Sequence, residues 1–239
     1  MTYNVHSCVG TDSLLSPERI AAVIAEAAPD VVCLQEVDAG RMRTGRLRQA
    51  EVIARELGMA CEFHPAIRLD EEQYGDAILS RSPLRLVRAG LLPWPKSLLA
   101  FEPRGVLWAA ATIEGVEWQL MNTHLGLGRA ERRLQAAALA SDDWIGAAAQ
   151  RPPLVVCGDL NSRPGSKVHR ILTREVVDAQ TVRGGARHRT FPTRFPLVCL
   201  DYVFVSQGVQ VKALACHKTP LARVASDHYP LVAELAVAP

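Results

Sequence analysis

Polar side chains that could bind a metal ion or move a proton recur at the ends of apolar, strand-like runs in this chain. Asn4 ends the first run, and Glu36 closely follows the run Val31–Leu34. Strand ends on one edge of a sheet can bring such groups into a common cleft, where the backbone holds them in place. The candidate residues at these positions are Asn4, Glu36, Asn122, His124, Asp159, Asn161, Asp201, Asp227 and His228.

These residue types favour a hard divalent cation, Mg²⁺ or Mn²⁺, over a structural zinc, because they offer oxygen and nitrogen donors and no thiolate. Such a cation binds a non-bridging phosphate oxygen and offsets charge in the transition state. Asp159 and Asn161 stand two apart, so they either point the same way on an extended segment or share an Asx-type turn. A carboxylate beside an amide can orient, and partly deprotonate, an attacking water. A histidine with a carboxylate partner can bind a phosphoryl group as an imidazolium, or act as acid or base.

Each of these residues, taken alone, is better explained as a turn, cap or loop residue. Their recurrence at successive strand ends favours a metal–phosphoester site instead. Six segments contain them, and they follow one another as Thr2–His6, Leu34–Val37, Asn122–His124, Gly158–Ser162, Leu200–Val205 and Ser226–Pro230. This order resembles that of the endonuclease/exonuclease/phosphatase superfamily, which includes deoxyribonuclease I, and the resemblance covers nearly the whole chain.

The resemblance implies an α/β (α+β) fold. In this deoxyribonuclease I-like, four-layer α/β sandwich, two packed mixed β-sheets are flanked by helices. It implies that Asn4 and Glu36 form a first metal-binding pair and that Asp227 is a further carboxylate on the metal side. Asp159 and Asn161 match the pair that positions the attacking water and touches a second metal or the phosphate.

The resemblance also implies roles for the remaining polar residues. His124 matches the histidine that assists the leaving group. Asp201 matches the acid that holds the last histidine, and His228 matches the histidine near the scissile phosphate. The segment around Asp76 is similar to a family strand that often reads Gly-Asn-Ala, and Asp76 stands where asparagine is common. Asp76 is therefore a candidate partner for His124, and both Tyr74 and Asp76 are candidates for substrate contact.

Two groups of arginines near the predicted strand ends could bind phosphate, which a planar guanidinium contacts with two hydrogen bonds. Arg41 and Arg189 are the candidates for substrate contact. One interpretation is an electropositive funnel for a polyanion or a phosphorylated headgroup, and the other is two solvated loops. The groups are Arg41, Arg43, Arg46 and Arg48, and then Arg183, Arg187, Arg189 and Arg194.

The composition limits the classes of protein to which this chain can belong. With 49% hydrophobic residues, the chain can build a large core, and we expect a single domain over residues 1–239. The net charge of +2 does not demand a nucleic-acid partner. Six cysteines without a CxxC pair favour a reducing, cytoplasmic setting, and no run is long enough for stable membrane insertion. Met1 stands directly before the first strand-like motif, so a start upstream of Met1 and a lost leader are left open. If the first strand is truncated, we expect Asn4 to be poorly held.

Hydrophobic periodicity and capping residues predict the elements that carry the candidate residues. A helix begins after Ser16, with Pro17 at its first position. Strands run together in the middle and at the end of the chain, which favours two packed sheets over one doubly wound parallel sheet. The other predicted helices cover Arg46–Leu57, Ala130–Ala148 and Ser166–Thr173. The predicted strands cover Val31–Leu34, Ala77–Leu79, Leu84–Leu91, Val106–Ile113, Trp118–Asn122, Leu154–Cys157, Leu200–Val205, Val209–Ala215 and Leu231–Val237.

The sequence thus predicts a divalent-metal-dependent phosphoesterase that hydrolyses a phosphodiester or a phosphomonoester by in-line attack of water. A nuclease-like substrate is favoured by the arginine loops, although the 5% aromatic content offers no base-stacking platform. The alternative is a lipid or headgroup phosphodiesterase or phosphatase, with Leu91–Trp94 and Ser97–Phe101 as an exposed hydrophobic loop. A second alternative is a non-catalytic binding or scaffold protein with the same fold.

Overall fold

Two six-stranded sheets form the centre of the computed structural model, which describes residues 1–94, 102–184 and 187–237. The first sheet contains, in spatial order, β11 (Val209–Cys216), β12 (Leu231–Val237), β1 (Thr2–Asn4), β2 (Val31–Ala39), β4 (Glu72–Ser80) and β3 (Ala60–Leu69). The second contains β5 (Leu84–Leu91), β6 (Gly105–Ile113), β7 (Val116–His124), β8 (Leu154–Asp159), β10 (Asp201–Val205) and β9 (Val177–Asp178). Because β1 runs parallel to β2, and β7 to β8, among antiparallel neighbours, both sheets are mixed.

Helices cover the outer face of each sheet. The first sheet packs against α1 (Pro17–Ala27), α2 (Gln49–Leu57) and α7 (Pro220–Ala225), and the second against α3 (Arg129–Leu139), α4 (Ile145–Ala149) and α5 (Lys167–Leu172). Side chains of both sheets share an inner core that includes Cys33, Ile78, Leu107, Leu120, Val155 and Val203. This four-layer arrangement confirms the predicted fold class. None of the helices in the described ranges is long and apolar enough to cross a membrane.

The helix ends follow from local chemistry. At the start of α1, the Ser16 hydroxyl accepts a hydrogen bond from the Arg19 amide at 3.1 Å, as the capping pattern predicts. The second helix ends before Gly58 as predicted, with that residue at φ +64°. Its predicted start at Arg46 is wrong, because Arg46 has φ +58° and a left-handed residue cannot continue a right-handed helix.

The long helix predicted over Ala130–Ala148 is also wrong, since it is divided into α3 and α4. The Ser141 hydroxyl donates to the carbonyl of Ala138 at 2.7 Å and accepts from the amide of Asp143 at 3.3 Å. Such local side-chain bonds offer the backbone an alternative to the helical ladder, and the helix stops there.

The strand β3, which lies at the edge of its sheet, is not among the predicted elements. The strand contains Pro65, which has no N–H for a ladder, and its register with β4 shifts between Pro65 and Ile67. An edge position tolerates such a residue because one side of the strand needs no partner. The short α6 (Ala179–Arg183), α7 and β9 are likewise additions to the predicted elements.

Asn122 links the two sheets. Its amide nitrogen donates to the carbonyls of Leu34 and Ala77, both at 2.8 Å, and its amide oxygen accepts from Gln35 at 2.7 Å. Replacing Asn122 with alanine removes three buried hydrogen bonds and is expected to lower the free energy of unfolding by about 3 kcal/mol in urea denaturation. The matched control is Thr123→Ala, which removes one buried bond within a single sheet and is expected to cost about 1 kcal/mol. Equal costs for the two variants would contradict the linking role.

Candidate functional site

The parallel strand pairs β1–β2 and β7–β8 end beside a cavity of about 520 Å³. Asn4 ends β1, His124 ends β7 and Asp159 ends β8, while Glu36 lies at a bulge within β2, so both sheets contribute polar groups to the site. Seven residues predicted from the sequence line this cavity, namely Glu36, Tyr74, His124, Asp159, Asn161, Asp227 and His228.

Asp159, the last residue of β8, is the hub of the site. Its Oδ2 accepts a hydrogen bond from Asn4 Nδ2 at 3.1 Å, and it lies 3.7 Å from Nε2 of both His124 and His228. Its Oδ1 accepts from the Asn161 amide at 2.8 Å, which is the Asx-type turn that the two-residue spacing left open. Burial, and then the charge of Asp201, raises the pKa of Asp159 to about 7.

Gly158 lets β8 approach β7 closely enough to place Asp159. It adopts φ +151°, and a Cβ added there would lie 1.9 Å from the carbonyl oxygen of Thr123.

We expect Gly158→Ala to lower the free energy of unfolding by about 3 kcal/mol, measured by urea denaturation. Gly208→Ala is the control, because Gly208 has φ +85° and open space around it, so only backbone strain of about 1 kcal/mol is expected. A smaller cost at Gly158 than at Gly208 would contradict this account.

Glu36 reaches the cavity through a bulge in β2, where the pairing with β4 shifts between Leu34 and Val37 and Glu36 takes φ +60°. Its Oε1 accepts from Asn4 Nδ2 at 2.9 Å. Asn4 is 1% exposed, and its Oδ1 accepts from the amide of His6 at 3.1 Å. The expectation of a poorly held Asn4 is therefore wrong. The amide nitrogen of Asn4, rather than its oxygen, faces the carboxylates.

His228 is held by a carboxylate, as the resemblance implies. Its Nδ1 donates to Asp201 Oδ2 at 2.8 Å, and its ring lies 4.7 Å from that of Phe191. Burial alone would lower the pKa of His228, but the charges of Asp201 and Asp159 raise it to about 10. Asp227 is half-buried at the cavity wall. The site thus holds an imidazolium next to a group of carboxylates.

His124 has a different partner from the one expected. Its Nδ1 lies 3.0 Å from Nη1 of Arg104, and its Nε2 lies 3.0 Å from Nδ2 of Asn161. Asp76 was the predicted partner and a predicted substrate contact, but it is 4% exposed and does not line the cavity. Burial raises the pKa of Asp76 to about 8. Asp76 therefore lies beneath the site, and Arg104, instead of Asp76, contacts the His124 ring.

The two arginines predicted to contact substrate lie outside the cavity. Arg41 forms ion pairs with Asp38 at 3.8 Å and Glu72 at 3.6 Å, and stacks over Tyr74. Arg189 is exposed, and its carbonyl accepts from the thiol of Cys216. The cavity lining therefore gives no support to a substrate contact by Arg41 or Arg189, which stays a prediction.

The predicted arginine funnel is not formed by the described side chains. Of both groups, Arg43 is the member that lines the cavity, and it is bound to Asp38 through two contacts of 2.8 Å. Arg48 pairs with Glu51, and Arg187 pairs with Asp178 at 3.4 Å. The segment Ser97–Phe101, predicted as part of a hydrophobic loop, lies outside the described residues.

Sequence reasoning did not single out Arg104, Glu102, Leu127 or Phe191, which also line the cavity. Arg104 and Glu102 come before β6, in a segment without a recognised motif, and only the fold brings them to His124. The apolar Phe191 and Leu127 carry no chemical signal of their own. A pattern of residue types at strand ends therefore could not have found them.

The donor set fits a divalent cation. Glu36, Asp159 and Asp227 supply carboxylate oxygens at one wall, and ligand atoms of Asp159, Asp201 and His228 lie within 4.8 Å of one another. The raised pKa of Asp159 reflects buried negative charge that a cation would offset. Asp201 Oδ2 is bonded to Nδ1 of His228, and Asp201 does not line the cavity, whereas Glu36 and Asp159 do, so a cation in the cavity can reach them.

Comparison with known sequences gives a consistent picture. The sequence model of the "Endonuclease/Exonuclease/phosphatase family" matches residues 1–228. The uncharacterized protein YbhP of Escherichia coli (strain K12) is 30% identical over 250 residues, which cover 98% of this chain and 94% of that protein. Protein cwh43 of Schizosaccharomyces pombe is 29% identical over 175 residues, which cover 72% of this chain and 17% of that protein.

Solved structures share the fold. A functionally unknown conserved protein from Enterococcus faecalis V583 superposes with a TM-score of 0.77 at 22% identity, covering 99% of this chain and 98% of that one. An endonuclease/exonuclease/phosphatase protein from Beutenbergia cavernae DSM 12333 gives 0.76 at 21%, covering 99% and 70%. A mannosyl-6-phosphatase from Bacteroides thetaiotaomicron VPI-5482 gives 0.72 at 20%, covering 98% of each chain.

Proposed function

Because the chain belongs to the endonuclease/exonuclease/phosphatase family, we propose that it hydrolyses a phosphate ester in this cavity with a divalent cation, Mg²⁺ or Mn²⁺. The observation that carries the proposal is the environment of Asp159. Its Oδ2 lies within 4 Å of Asn4, His124 and His228, beside the carboxylate of Glu36. Asn4, His124 and Asp159 end three strands, Glu36 lies at a bulge in β2 and His228 precedes β12, so the fold fixes all five in one place, as turnover requires.

Glu36, Asp159 and Asp227 are the residues that would hold the cation. When bound, it supplies positive charge to a non-bridging phosphate oxygen. Asn4 fixes the positions of the Glu36 and Asp159 carboxylates relative to each other, because its Nδ2 donates to both. We therefore assign Asn4 a positioning role in place of the direct metal contact that the resemblance implies.

The attacking water is oriented by Asp159 and Asn161, which are locked together by their Asx-type turn. Asp159 accepts a hydrogen bond, and in the reaction a proton, from that water. His228 is turned by Asp201 so that Nε2 faces the site, 3.7 Å from Asp159 Oδ2, and donates to a phosphoryl oxygen. Asp159 thus takes the proton of the water, and His228 stabilises charge on the phosphoryl group.

The substrate is proposed to be compact. A nuclease-like substrate, which the sequence favoured, depends on arginines free to bind a polyanion, and Arg41, Arg43 and Arg48 are each paired with carboxylates. A headgroup or small-molecule phosphoester needs only the cavity itself. The mannosyl-6-phosphatase of the same fold supports a compact phosphate ester.

A substrate panel tests this choice. Plasmid DNA, abasic DNA, RNA, sphingomyelin, inositol phosphates and mannose 6-phosphate are each offered with Mg²⁺ and with Mn²⁺. We expect kcat/KM to be highest for one of the small phosphate esters. A preference for DNA or RNA would restore the nuclease prediction, and no turnover of any substrate with any divalent cation would favour a scaffold protein.

A further inference from the structure

Arg104 contacts His124 from the residue that precedes β6. Its side chain is 7% exposed, and its Nη1 lies 3.0 Å from Nδ1 of His124. Its Nη2 forms an ion pair with Glu102 at 3.2 Å. The guanidinium is therefore held in one place against one nitrogen of the ring.

We propose that Arg104 is a positioning residue that keeps Nδ1 of His124 unprotonated, so that the ring presents an Nε2–H group to the substrate. The proposal rests on the proposed phosphoesterase function. A guanidinium has five N–H donors and no acceptor, and it stays charged. The ring can therefore form a hydrogen bond with Arg104 only by accepting it at a lone pair on Nδ1. A neutral imidazole carries one proton, which must then lie on Nε2.

The opposite tautomer is excluded on the side of Arg104. A proton on Nδ1 would turn an N–H group of the ring toward the N–H groups of the buried guanidinium, 3.0 Å away. The contact with Arg104 therefore determines the position of the proton.

Asn161 is the member of the site that must adapt. Its Nδ2 lies 3.0 Å from His124 Nε2 and 2.8 Å from the carbonyl of Leu125. Two N–H donors cannot share a hydrogen bond, so with Nε2 protonated the amide oxygen of Asn161 has to face the ring. Asn161 then cannot keep both contacts at once: its side chain bonds either to the carbonyl of Leu125 or to the ring of His124.

The two histidines of the site consequently have opposite roles. His228 donates through Nδ1 to the carboxylate of Asp201, whereas His124 accepts at Nδ1 from Arg104. His124 therefore stabilises a phosphoryl or leaving-group oxygen as a neutral hydrogen-bond donor and keeps its proton. This differs from a carboxylate-bound histidine, whose partner would favour the imidazolium.

Two-bond ¹H–¹⁵N correlation spectra of the histidine rings test the proposal directly, because they distinguish the two tautomers from the doubly protonated ring. The signal of His124 is identified by its loss in His124→Asn. We expect the Nε2–H form in the unmodified protein and a shift toward Nδ1–H in Arg104→Met. We also expect kcat for the best substrate of the panel to fall about 10²-fold with little change in KM.

Two further variants make the result decisive. Arg104→Lys keeps a cationic donor and is expected to retain the Nε2–H form and part of kcat. Arg43→Met removes the cavity arginine that is bound to Asp38 and should leave the His124 tautomer unchanged. An Nδ1–H or doubly protonated ring in the unmodified protein, or the same tautomer in Arg104→Met, would overturn the proposal. Because the spectra need no turnover, an Nε2–H ring in a protein that hydrolyses nothing would sink the proposed function alone.

Discussion

Replacing Asp159 with asparagine is expected to lower kcat for phosphoester hydrolysis by about 10³-fold. The substitution keeps the size of the side chain, so the strand end and its turn should survive. It removes the negative charge and the proton acceptor to which Asn4, His124 and His228 are turned. Steady-state kinetics with bis-p-nitrophenyl phosphate in saturating Mn²⁺ measure the loss.

The matched control for this prediction is Asp178→Asn. Asp178 is also a buried aspartate bound to a histidine, with its Oδ2 2.9 Å from Nε2 of His169, but it lies outside the cavity. We expect this variant to be less stable in urea and to keep kcat within about twofold of the unmodified protein, since it touches no group of the site. A kcat for Asp159→Asn above one tenth of the unmodified value would contradict the role given to Asp159.

Replacing Glu36 with glutamine is expected to raise the Mn²⁺ concentration for half-maximal activity by about 10²-fold. Glu36 and Asp159 both accept from Asn4 Nδ2, so their oxygens converge on one point. Glutamine keeps the shape but removes one of the charges that a divalent cation needs there. The thermal midpoint of the unmodified protein should rise as Mn²⁺ is added, because ligand binding stabilises the folded state, and this rise should be weaker in Glu36→Gln.

Glu102→Gln provides the control for the cation. Glu102 lines the same cavity but lies beside Arg104, where its ion pair measures 3.2 Å. Its loss should leave the Mn²⁺ requirement unchanged. An equal increase in both variants would mean that the cation responds to the charge of the whole cavity, and the placement of the cation at Glu36 would then be wrong.

Local sequence was enough to place the hub of the site. Asp159 and Asn161 follow a continuous apolar run, and the observed Asx-type turn is one of the two arrangements that their spacing left open. The pairing of Asp201 with His228 was implied by the family resemblance, and their 2.8 Å contact agrees with it. Strands that run together favoured two packed sheets over one doubly wound sheet, and the resemblance implied the four layers.

Competition between distant side chains was not predictable from the sequence. His124 has Asp76 and Arg104 as candidate neighbours on β4 and before β6, and only the packing of the two strands decides that Arg104 reaches Nδ1. Arg41 has a guanidinium that could bind phosphate, yet in the folded chain it forms ion pairs with Asp38 and Glu72. Residue type shows what a side chain could contact, while the partner depends on which groups the fold brings within reach.

The central claim is that the residues around Asp159 form one metal-dependent hydrolytic site. The most direct test is the hydrolysis of bis-p-nitrophenyl phosphate by chelator-treated protein before and after Mn²⁺ is restored, in the unmodified chain, Asp159→Ala and His228→Ala. We predict that turnover is absent without cation, returns in the unmodified chain and stays absent in both variants. Turnover without a cation, or turnover that returns fully in both variants, would contradict the claim.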